Sequence, residues 1–149
     1  YQVNTGNFGM EIEAKSINNS FWPKITNITL KRAAGTVTEG GSSAAEYDAI
    51  QFKKEGNGDF SNILISGYAT AGATAIRIQD ANANTNQVNG NKIKLTDVKI
   101  NDGTSQYAGV GSFTVSFPSG QFLTSASATG ATLTTGSWSI VEGVNLIQQ

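Results

Sequence analysis

Ile25-Thr26-Asn27-Ile28-Thr29-Leu30 returns as Phe60-Ser61-Asn62-Ile63-Leu64-Ile65 and again as Leu95-Thr96-Asp97-Val98-Lys99-Ile100. Each copy reads apolar, Ser/Thr, Asn/Asp, β-branched, variable, apolar. From Ile25 to Phe60 and from Phe60 to Leu95 the spacing is 35 residues both times. Equal periods of this length mark a chain built from stacked repeats.

A second short strand precedes each copy. These are Gly9-Met10-Glu11-Ile12-Glu13, Ala49-Ile50-Gln51-Phe52-Lys53 and Ala75-Ile76-Arg77-Ile78-Gln79. Apolar residues alternate with charged or amide residues, the period of a half-buried strand. The loops between strands vary, with a Gly/Ser-rich insertion at Glu39 to Ser43 and an Asn-rich one at Asp80 to Asn91. The pattern predicts an all-β parallel β-helix in which equivalent strands stack coil on coil, about 4.8 Å apart. Met10/Ile12, Ile50/Phe52 and Ile76/Ile78 would point inward from one sheet, and Ile28/Leu30, Ile63/Ile65 and Val98/Ile100 from another. Asn27, Asn62 and Asp97 would fall at one level, either as a ladder of hydrogen-bonded amides or as turn residues at strand entries. A jelly roll or β-sandwich is the alternative, since many short strands with Gly/Asn turns describe that fold too.

The chain reads as one domain, with coils over about 9–48, 49–74 and 75–110, and a last coil and cap over 111–149. The final part differs from the rest. Ser112 to Phe117 reads as a strand stopped by Pro118, Phe122 to Thr135 is rich in small residues, and Trp138 to Val141 reads as a last strand. Terminal repeats are commonly atypical, which makes this region a cap.

The segments Gly9 to Glu13, Pro23 to Leu30, Asp48 to Gly56 and Phe60 to Gly67 carry a resemblance. Over about two thirds of its length the chain resembles the C-terminal region of secreted parallel β-helix surface lipoproteins of Bacteroidetes-type bacteria. The resemblance implies a right-handed parallel β-helix at a cell surface, with no catalytic residues to carry over. Such proteins are longer than this chain.

Composition narrows the chemistry. The chain has no cysteine and no histidine, which removes disulfides, thiolate nucleophiles and every imidazole mechanism. Net charge is −1 with scattered Lys and Arg, so there is no basic footprint for nucleic acid. No apolar run approaches a membrane span. The chain starts at Tyr1, which suggests a processed product and a secreted, extracellular or cell-surface location.

Candidate sites follow from these limits. A lyase-like site would need carboxylates such as Asp80, Asp97 and Asp102 to converge beside Lys94 or Lys99, but their spacing does not bring them together and Asn101-Asp102-Gly103 is a turn signal by itself. Glu11 and Glu13 alternate on one strand and should face solvent. Trp22, Tyr47 and Tyr68 are the aromatic candidates to stack on a surface glycan, with Tyr107 flanking a strand; the alternative for Trp22 is that it covers an end of the core. Tyr1, Val3, Trp138 and Ile140 lie in the end strands that could pair with another copy. The expectation is a non-catalytic structural or adhesive protein without a cofactor, forming a homo-oligomer or filament. Carbohydrate binding is the alternative function.

Overall fold

A computed structural model describes residues 8–15, 22–32, 48–69, 73–132, 140–141 and 144–145. Eight strands form two parallel ladders. The first ladder contains β1 (Met10–Ala14), β3 (Ile50–Lys54), β5 (Thr74–Ile78) and β7 (Ser105–Gly109). The second contains β2 (Lys24–Lys31), β4 (Gly58–Ser66), β6 (Ile93–Ile100) and β8 (Phe122–Thr124). Odd strands alternate with even ones along the chain, so each coil gives one strand to each ladder. This is a short parallel β-helix; the parallel pairing rules out the antiparallel jelly roll. Two short strands, β9 (Ile140–Val141) and β10 (Val144–Asn145), pair antiparallel further on.

The repeated hexads stack in the register that their spacing predicts. Ile25 pairs with Phe60 and Phe60 with Leu95; Ile28 pairs with Ile63 and Ile63 with Val98. The Asn/Asp position drops out of each ladder because Asn27, Asn62 and Asp97 adopt left-handed backbone, with φ of 59°, 52° and 53°. Asn and Asp tolerate this conformation best among residues with a side chain. Residues 25 and 28 would lie on opposite faces of a regular strand. The left-handed residue between them turns the chain so that both face inward.

The core is densest in coils two and three. Ile50, Phe52, Ile63, Ile65, Ile76, Ile78, Leu95 and Val98 are fully buried, each worth about 1.5–3 kcal/mol of hydrophobic transfer. Phe52 and Phe60 meet edge to face, 5.4 Å between centroids. The end coils are less covered. Met10, Ile12, Ile25 and Leu30 are half-buried in coil one, as are Tyr107 and Phe122 in coil four.

Two expectations change. The alternating run 112–117 is not a strand; β7 forms the fourth rung from residues just upstream, 105–109. Phe113, Val115 and Phe117 still pack against the core from an extended segment, and Phe117 joins Tyr107 and Phe122 in an aromatic cluster with centroids 5.1–5.6 Å apart. Alternation reports which side is buried, not whether a neighbouring strand is present. The Asn-rich insertion is also more ordered than a loop: Ala83–Val88 forms a π-helical turn that buries Ala83 and Val88. Asp80 accepts the Ala83 N–H at 2.9 Å at its start.

Candidate functional site

The outward face of the first ladder carries a cluster of ion pairs. In register across it run Glu11, Gln51, Arg77 and Ala108. Lys53 on β3 bridges both carboxylates of β1, 2.6 Å from Glu11 and 3.1 Å from Glu13, and Lys54 also pairs with Glu13. The hydrogen bonds from Lys54 and then Lys53 hold the Glu13 carboxyl below its ordinary value of 4.5. Those to Glu11 and then Glu13 raise Lys53 above 10.5. As expected from their alternation, both glutamates face outward.

Beside these lies a more buried pair. Asp48 accepts from Arg77 at 2.8 Å and from the Thr74 N–H and hydroxyl at 2.6 and 2.9 Å. Their side chains are only 6% and 15% exposed. Gln51 donates to Gln79 at 2.8 Å, and Arg77 Nε donates to the same oxygen at 2.9 Å. A shallow cleft of about 340 Å³ opens here, lined by Asp48, Thr74, Arg77 and residues 108–111. Sequence reading missed this cluster. The available signal was the outward alternation of Gln51, Lys53, Arg77 and Gln79 around the apolar positions.

The proposed lyase-like carboxylates do not meet. Asp80 binds the backbone N–H groups of Lys54 and Ala83. Asp102 binds Thr104 and the Gly67 N–H, and Asp97 sits at the left-handed corner. Among the described residues no group of three or more His, Cys, Asp or Glu is placed to hold a metal ion. The Asn/Asp level is part ladder and part turn: Asn62 Nδ2 donates to Asn27 Oδ1 at 2.7 Å, while all three residues shape the corner.

Of the candidate glycan-stacking rings, Trp22 is 41% exposed. Tyr68 is 1% exposed, which corrects its assignment to the surface. Its ring lies under the Arg32 guanidinium at 5.9 Å, and burial pushes its phenol up to about 12. An apolar-flanked tyrosine after a strand looks the same in sequence whether it packs in or out. Tyr47, Tyr1, Val3 and Trp138 lie outside the described residues; Ile140 falls in β9.

Two stacked parallel ladders around one apolar core define the class as parallel β-helix proteins. The family model of the pectate-lyase-like β-helix domain matches residues 1–141, and the chain belongs to that family. No curated protein and no solved structure matches the chain. No helix among the described residues is long and apolar enough to cross a membrane.

Proposed function

We propose that this β-helix is a non-catalytic structural or adhesive module of an extracellular surface, joining further copies by strand pairing at its ends. The observation that carries this reading is the use made of the charged side chains. Glu11, Glu13, Lys53, Lys54, Asp48, Arg77, Asp80 and Asp102 all bond across coils, in the role of fasteners. The end coil supports the assembly part. β1 and β2 are paired with β3 and β4 on one side, and among the described residues no strand pairs with their other edge. An unpaired strand edge is a template for another chain.

Light scattering and negative-stain electron microscopy across a concentration series test this reading. Oligomers or filaments are expected, and deleting residues 1–8 should change the assembly state. A monomer at every concentration would overturn the assembly. Release of unsaturated product from an acidic polysaccharide, with or without Ca²⁺, would overturn the non-catalytic reading.

Trp22 supports a second reading, as a carbohydrate-contacting module. Its exposed indole precedes Pro23 at the start of β2, and such rings stack on sugar faces. Polysaccharide titrations followed by tryptophan fluorescence should shift the wild type and leave Trp22→Ala unchanged. No shift with any glycan removes the idea.

A further inference from the structure

After β8 the chain turns back along the helix axis. The Ser125 N–H donates to Val98 O in coil three at 2.9 Å. The Thr129 and Gly130 N–H groups donate to Asn62 Oδ1 in coil two at 2.8 and 3.0 Å, and Asn62 Nδ2 donates to Gly130 O at 3.1 Å. The Ala131 N–H then donates to Thr29 Oγ1 in coil one at 2.9 Å. Residues 125–131 thus touch coils three, two and one in order. The fit is close. Ala128 and Gly130 are buried, and a Cβ on Gly130 (φ 69°) would come within 2.2 Å of Thr29 Oγ1 and 2.8 Å of Leu64 Cβ.

We propose that residues 125–131 are an axial clasp, with Asn62 as its hub, that makes the first coil's stability depend on the last coil's being in place. In an ordinary solenoid each coil contacts only its neighbours, so the ends fray independently. Here the segment leaving coil four bonds directly to coil one. Asn62 is suited to the hub because its left-handed backbone turns the amide outward at the corner, where one oxygen accepts two strap N–H groups and the nitrogen serves Asn27 and Gly130 together. Asp97 has the same backbone one coil further on, yet no strap amide bonds to it. It is a built-in control.

Native-state hydrogen exchange, resolved by segment, tests the clasp. Asn62→Gly keeps the left-handed corner without strain and removes the amide. Exchange across residues 24–31 is expected to speed up about tenfold, the scale of one lost hydrogen bond, while 93–96 stays protected. Asp97→Gly should leave 24–31 unchanged. Gly130→Ala separates the clasp from the Asn27–Asn62 bond, since it displaces the strap and leaves that pair intact; it should reproduce the Asn62→Gly pattern. Unchanged exchange at 24–31 in Gly130→Ala, or equal effects from Asn62→Gly and Asp97→Gly, would overturn the proposal.

Discussion

The two ladders stack the same coils with different chemistry. The first has its left-handed residue only at the end of β3, at Lys54 (φ 51°), and its outer face is tied by charge: Lys53 to Glu11 and Glu13, and Arg77 to Asp48. The second bends at a left-handed residue in β2, β4 and β6, and its outer face is tied by amides and hydroxyls at Asn27, Asn62 and Thr29. Both bury continuous apolar rows inward. The difference teaches that stacking rests on the inward rows, while the outer ties set how each face responds to pH and salt.

The largest expected effect comes from the shared interior. Ile63→Ala removes a fully buried side chain from the central strand of the second ladder and should cost about 2–5 kcal/mol in denaturant unfolding. A similar loss is expected from Ile76→Ala in the first ladder. A large inequality between the two would break the idea of one common core.

Asp48→Asn should come next, at about 3 kcal/mol, because it leaves the Arg77 guanidinium without its carboxylate in a largely buried setting. Its loss should persist in high salt, unlike that of the exposed ties. A salt-sensitive Asp48→Asn penalty would place this pair among the surface contacts.

Alkaline unfolding offers a third test. The folded phenol of Tyr68, at about 12, lies above its ordinary 10.0. Its contribution is therefore intact below pH 10 and is lost as pH rises through about 12. Tyr68→Phe should flatten that part of the profile. An unchanged profile would mean that the ring is not buried.

The smallest effect is expected at Glu13. Its folded value is lowered by Lys54 and Lys53, so its contribution is present above pH 4.5 and disappears as pH falls through that lowered value. Glu13→Gln should weaken the acid dependence, with a difference that fades in 1 M salt as charges are screened. No acid-dependent difference at low salt would remove charge from the description of the first ladder.

The hexads were legible because their 35-residue spacing is also the register of the ladder. Asn27, Asn62 and Asp97 stood out for the same reason, although nothing in the spacing disclosed their left-handed backbone. The cluster of Asp48, Arg77, Gln51 and Gln79 was hidden because its two halves, 48/51 and 77/79, lie in different coils and meet only once the coils stack. Tyr68 was misplaced because sequence alternation does not say how deep a loop residue sits.

The 35-residue period by itself favoured the solenoid, and the parallel strand pairing decided it against the jelly roll. Alternation also marked the inward rows of the first ladder and Ile28/Leu30, Ile63/Ile65 and Val98/Ile100 of the second, while Ile25, Phe60 and Leu95 join them only through the left-handed corner. Only the tertiary structure decided that 105–109 and not 112–117 forms the fourth rung, and that residues 125–131 run back across three coils. Those outcomes depend on which hydrogen-bonding groups, backbone and side chain alike, remain to be paired once the coils have stacked, and that is a property of the assembled helix, not of any single segment.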